Sequence, residues 1–181
     1  MKIYSLSLGF VCLWFGFWGG GQAAELFGIS LSGATRDQLR AAVKQSGMTL
    51  IREAGDDEFF DVYDSQTLLP GSSRLYLGFV KSNQRFAFAE YEFNGLRQPI
   101  MLQKLRTKYG EPQLLGGKYL TDQRYQWSTD EVQISLTVDW AQHKTRLLYY
   151  QPAALDDLRQ EQKAYRLSII KQQDKTSEQL Y

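Results

Sequence analysis

Val132-Gln133-Ile134-Ser135-Leu136-Thr137-Val138-Asp139 alternates apolar and polar residues without a break. Successive side chains of a strand point to opposite faces, so this stretch predicts a β-strand. Val132, Ile134, Leu136 and Val138 lie on a buried face, and Gln133, Ser135, Thr137 and Asp139 on a wet one. Strands that are wet on one side belong to antiparallel sheets, which can leave one face uncovered. The stretch is flanked by two more β-like runs, residues 119–127 before it and 145–150 after it. The three together read as a meander.

A short helix precedes this meander. Pro99 suits the first turn of a helix, where its missing N–H costs nothing. Met101, Leu102, Leu105 and Tyr109 follow as an apolar stripe, Gly110 is the cap and Pro112 blocks continuation. The same order occurs earlier in the chain. Thr35 is followed three residues later by Gln38, a capping box. Leu39, Ala42 and Val43 then fall at helical spacing, and Gly47 ends the helix where a left-handed residue is favoured. Three β-like runs succeed it: 59–63, then Leu75, Leu77 and Phe79 alternating with Tyr76, Gly78 and Val80, then 86–93 across the hairpin loop Ser82-Asn83-Gln84. Each helix carries a Leu-Arg pair (Leu39-Arg40 and Leu105-Arg106) before its terminal glycine. The expectation is an α+β fold of two αβββ repeats with antiparallel sheets. A C-terminal helix opens at Pro152, has Asp156 and Asp157 in its first turns, and frays over the last eight residues.

The first 24 residues read as an address. Lys2 is a short basic region, residues 3–18 carry no charge, and Gly19 to Ala24 are mostly small. This is the pattern of a secretory signal, with cleavage after Ala24 or, alternatively, after Ala23. Cys12 is preceded by Val11, which is not the small residue that lipidation requires. The organisation is then signal peptide 1–24, first unit 25–95, second unit 96–151, and C-terminal helix and tail 152–181. Removal of the signal takes Lys2 and the single Cys, leaving 20 basic against 20 acidic residues. The remainder is formally neutral and free of thiols. It forms no disulfide, has no second apolar run long enough to span a bilayer, and offers no electrostatic reason to bind nucleic acid.

Gly33-Ala34-Thr35-Arg36-Asp37-Gln38-Leu39-Arg40 resembles the opening of the small outer-membrane assembly lipoproteins of the SmpA/OmlA type. Residues Leu105 to Pro112, with Trp127 and the 132–138 strand, resemble uncharacterised bacterial periplasmic proteins. The tandem helix-plus-meander plan is similar to that of β-lactamase inhibitory protein. These resemblances imply a non-enzymatic protein-binding module with the tandem α+β fold. The chain departs from them in having no lipidated Cys and no disulfides, and they assign no binding residue.

Catalytic chemistry has few reagents. The only histidine, His143, falls between two strands with no Cys partner and no Gly-x-Ser-x-Gly elbow anywhere in the chain. Asp56, Asp57, Glu58, Asp61 and Asp64 cluster, but without the spacing of a calcium loop. They read as a solvated turn entering a strand, with Asp61 alternating outward. Glu90 and Glu92 share a strand face with Phe86 and Phe88. At i, i+2 they have the separation that glycoside hydrolysis uses, and they also fit an outward-facing strand edge. No cofactor and no metal are expected.

Two features suit a partner. Arg36, Arg40 and Lys44, at i, i+4 and i+8, form a basic stripe on the first helix that could dock an acidic surface. Tyr119, Tyr125 and Trp127 share one face of a strand. Such rings serve equally as a contact surface or as packing beneath a covering helix. The expectation is a monomeric or weakly dimeric periplasmic module that binds another envelope protein. The alternative is a small protein that binds, or hydrolyses through carboxylates, cell-wall glycan.

Overall fold

A computed structural model describes residues 23–55, 58–116 and 123–178. Its elements are a two-residue hairpin β1 (Glu25–Leu26) and β2 (Ile29–Ser30), α1 (Arg36–Gln45), and strands β3 (Thr49–Arg52), β4 (Phe60–Asp64), β5 (Ser72–Phe79) and β6 (Phe86–Asn94). Then come α2 (Gln98–Tyr109), strands β7 (Gln113–Leu115), β8 (Arg124–Thr129), β9 (Val132–Asp139) and β10 (Lys144–Tyr150), and α3 (Pro152–Glu178). The fold is α+β, with antiparallel strands and a C-terminal helix.

Eight strands form one continuous sheet in the order β3-β4-β5-β6-β10-β9-β8-β7. Each unit therefore contributes four strands in sequential meander order. The fourth strands, β6 and β10, join the units at the centre, with Leu147 opposite Tyr91 and Tyr149 opposite Ala89. Each meander has one strand beyond the three expected, and the two meanders share a single sheet. The additional strands β3 and β7 are the two outer edges. They are short, and every residue of β3 is exposed, so neither carries the period-two burial that marks a strand in sequence.

The helices start and stop where local chemistry dictates. Gln38 Oε1 accepts the Thr35 backbone N–H at 3.0 Å, and Gly47 adopts φ +84° just past the end of α1. Leu39 and Val43 of α1 and Leu105 of α2 enter the main core. That core lies on one sheet face, hereafter the helix face, and takes Leu75, Leu77, Phe86, Ile134, Leu136 and Leu147 from the strands. α3 packs on the opposite face. Its Ala154 and Leu158 meet Phe59, Val80 and Ala87, with Tyr165 edge-on to Phe59 at 5.8 Å.

A bulge alters one expectation. Gly78 pairs with Phe88 while its neighbour Phe79 pairs with Phe86, so β6 advances two residues where β5 advances one. The extra residue, Ala87, shifts the alternation. Phe86 is thereby fully buried in the helix-face core, while Phe88 lies with Glu90 and Glu92 on the opposite face. Gly78 accommodates this: a Cβ placed there would lie 2.1 Å from the Phe88 ring.

Candidate functional site

The residues expected to contact a partner are largely used within the fold. Arg40 turns back onto β4 and clasps Asp61 with two hydrogen bonds, Nε to Oδ2 at 2.7 Å and Nη2 to Oδ1 at 2.6 Å. Asp61 is completely buried, so the expectation that it points outward is corrected: it faces Leu77 across the ladder, on the helix face. The Ala54 N–H also donates to it at 2.7 Å. Arg36 donates to the Ala54 carbonyl at 2.8 Å. A buried anion needs such partners to offset its lost hydration. The guanidinium of Arg40 is held charged more firmly than usual by its bonds to Asp61. Burial, followed by the Asp61 charge, pushes the neighbouring Tyr63 phenol up to about 12. Arg36 and Arg40 therefore fasten α1 to the sheet and do not form a free stripe. Lys44 alone of the three is exposed.

Trp127 is also reassigned. Its ring is buried in the helix-face core and its Nε1 donates to the Gly110 carbonyl at 2.8 Å, closing the end of α2. Tyr125, half-buried, packs against the same core. Neither forms an exposed aromatic platform. Tyr119 and the acidic pair Asp56-Asp57 lie outside the described residues. His143 sits exposed in the β9–β10 turn with φ +50°. Among the described residues no three His, Cys, Asp or Glu side chains gather in a metal-binding group.

A concave feature lies on the other face. Ladder pairing stacks three rows across the strands there. One row runs Arg74, Glu92, Arg146, Thr137, Arg124. The next runs Tyr76, Glu90, Leu148, Ser135, Gln126, and the third Gly78, Phe88, Tyr150, Gln133, Ser128. α3 walls this surface. Between them lies a groove of about 460 Å³ with Glu90, Arg124, Ser135, Thr137, Arg146 and Arg159 on its lining. It adjoins a second hollow of about 340 Å³, which shares Glu90 and Arg146 and adds Phe60, Tyr76 and Phe88. The three rings meet edge-on at 5.8 and 6.2 Å, and Arg52 lies over Phe60 at 5.1 Å.

The electrostatics of the groove centre on two carboxylates in different settings. Glu92 is buried and accepts from Lys144 Nζ at 2.9 Å and Ser73 Oγ at 3.2 Å. Glu90 is pushed above its ordinary value by burial, an effect that Arg146 at 3.3 Å opposes and the charge of Glu92 reinforces. The expectation of a strand edge is corrected, because β6 is one of the two central strands. Arg146 also approaches Asp139 at 3.5 Å. Chemically, the groove offers guanidinium forks for carboxylate or phosphate oxygens, hydroxyl and amide groups on its floor, and aromatic edges at one end. Sequence reading found the carboxylate pair but not the groove, whose arginines come from β8, β10 and α3.

No family model matches the chain, and no curated protein matches it. Among solved structures, the chain is similar to a DUF4309 family protein (YjgB) from Bacillus subtilis subsp. subtilis str. 168, with 17% identity over 73% of this chain and 88% of the other, and a TM-score of 0.44. The comparisons add nothing to the resemblances to the SmpA/OmlA lipoproteins or to β-lactamase inhibitory protein. No helix among the described residues is long and apolar enough to cross a membrane.

Proposed function

We propose that this chain is a non-enzymatic binding module of the bacterial periplasm, exported by a cleaved signal, which takes another envelope protein into the groove beside α3. The observation that carries this reading is the placement of Tyr76 on β5, Phe88 and Glu90 on β6 and Arg146 on β10, on the face opposite the main core. Aromatic and arginine side chains are the types that dominate binding energy in protein interfaces, and here they surround a hollow that α3 leaves open. The partner's matching segment carries an acidic group for Arg124 and Arg159 and an apolar side chain for the Phe60–Phe88 end. The module acts as a monomer or weak dimer.

The test is an envelope pull-down with crosslinking, comparing the wild type with Arg124→Glu/Arg159→Glu. Both arginines are exposed, so the variant keeps its fold, which circular dichroism verifies. Loss of the wild-type crosslinked species supports the groove; an unchanged set refutes it.

One observation favours a second reading, in which the groove binds or cleaves cell-wall glycan. Glu90 carries a carboxyl raised by burial beside Glu92, which is paired with Lys144, a division of environments that suits an acid and a base. Soluble muropeptides should then shift groove resonances in a saturable way, and Glu90→Gln should abolish turnover. Absence of both removes this reading.

A further inference from the structure

A second concavity lies on the helix face, where the two units join. β6 and β10 supply its floor through Tyr91, Phe93, Leu147 and Tyr149. Met101 and Leu105 of α2 form one wall, and Leu26 of β1 and Leu69 of the β4–β5 connection form the other. The cleft measures about 240 Å³. Its lining is in part almost wholly buried: Phe93 and Leu147 of the floor and Leu105 of the wall are each exposed by 5% or less. Ligand pockets favour such junctions between structural units, and apolar linings with few polar groups.

The charged groups lining the cleft are of one sign. Lys104 and Lys108, one helical turn apart on α2, lie on its lining and are exposed, and among the described residues no acidic side chain lines it. Tyr91 and Tyr149 contribute phenols, both raised by burial. They remain neutral and add no negative charge. An apolar trough with two cations at its rim complements a molecule with a hydrocarbon body and an anionic head. A sugar or a nucleotide would leave most of its polar groups unpaired here. The volume lies below the ~300 Å³ at which drug-sized pockets begin, which selects a short occupant.

We infer that the cleft between α2 and the β1 hairpin binds a single-chain anionic amphiphile, a medium-chain fatty-acid carboxylate, with the alkyl chain over β6 and β10 and the carboxylate at Lys104 and Lys108. This site is independent of the groove on the opposite sheet face. Its occupant is a monomeric acyl anion and not a membrane surface.

Three probes with a ten-carbon chain, below their micellar concentrations, test the assignment on the purified full chain: decanoate, decanol and decyltrimethylammonium. Methyl NMR at Met101, Leu105 and Leu147 reads binding and yields Kd. Decanoate binds one-to-one at these methyls, and tighter than decanol by about fivefold, the factor expected from two exposed ion pairs of about 0.5 kcal/mol each. Decyltrimethylammonium binds weakest. Lys104→Glu/Lys108→Glu reverses the order of the two charged probes and leaves decanol unchanged. Leu69→Trp, at a half-buried wall position, fills the cleft and removes binding of all three. Equal affinities for the three probes, an unchanged order in the lysine variant, shifts confined to the β6–β10 face that carries Glu90, or no saturable binding each overturn the inference. None of those results bears on the crosslinking test of the groove.

Discussion

Breaking the Arg40–Asp61 pair from each side tests how α1 is fastened to the sheet. The two partners are unequally buried: the Arg40 side chain is 25% exposed, while that of Asp61 is 0% exposed. Removing one member of a buried pair costs about 3–5 kcal/mol, because the other is left uncompensated. Asp61→Ala leaves Arg40 with Glu53, already its neighbour, and with partial access to water. Its cost belongs at the lower end, about 3 kcal/mol. Arg40→Ala strands a fully buried carboxylate whose remaining close donor is the Ala54 N–H, with Tyr63 Oη at 3.4 Å and Arg36 at 3.9 Å. Its cost belongs at the upper end, about 5 kcal/mol. Arg40→Met/Asp61→Leu removes both charges and should cost less than either single change, since a packed apolar pair is often as stable as a buried ionic one. Urea unfolding followed by circular dichroism reads these values. With a slope of ~2 kcal/mol/M, Asp61→Ala moves the midpoint down by ~1.5 M and Arg40→Ala by ~2.5 M. Single changes that each cost below ~1 kcal/mol, or a double change that is their simple sum, would refute the argument and return Arg40 to the role of a surface residue.

Other perturbations probe the packing and the helix that walls the groove. Gly78→Ala drives a methyl into the Phe88 ring and should cost ~1–3 kcal/mol by overpacking, with Gly78→Ala/Phe88→Ala recovering part of the loss in the same urea assay. Trp127→Phe removes the bond to the Gly110 carbonyl and should cost ~1 kcal/mol; it should leave partner crosslinking intact, because Trp127 lies in the core behind the sheet. Burial pushes the Glu161 carboxyl up, but hydrogen bonds from the Lys81 and Ser82 backbone amides outweigh this and lower it overall. A carboxyl lowered in the folded state contributes stability above its unfolded value, near 4.5, and loses it as pH falls through the folded value. Protection of the amides in the first half of α3, taken relative to their intrinsic exchange rates at each pH, should therefore fall below about pH 4.5, and Glu161→Gln should show the weaker protection already at neutral pH. N-terminal sequencing of the exported protein should give Ala24 or Glu25 as the first residue; a retained Met1 would refute the signal reading.

The residues of the β9 strand, the Thr35–Gln38 box, Gly47 and Gly110 determined their own elements by themselves. Each depends on the chain within a few residues: alternation, a cap, a left-handed stop. The repeat and the α+β class follow, because two helix-then-meander segments leave little else for an antiparallel sheet to become. What depends on contacts between distant segments was decided only in three dimensions. Nothing local says that β6 pairs with β10, since the same faces would be buried in two separate sheets. β3 and β7 lack a burial period because they are edges, and an edge is defined by what is missing beside it. The Ala87 bulge puts Phe86 and Phe88 on opposite faces, a register effect invisible without the partner strand. Asp61 reads as a solvated acid until Arg40, 21 residues away, is brought over it. The groove follows the same logic: Glu90, Arg124, Arg146 and Arg159 span 70 positions of chain, and only the sheet order and the docking of α3 place them around one hollow.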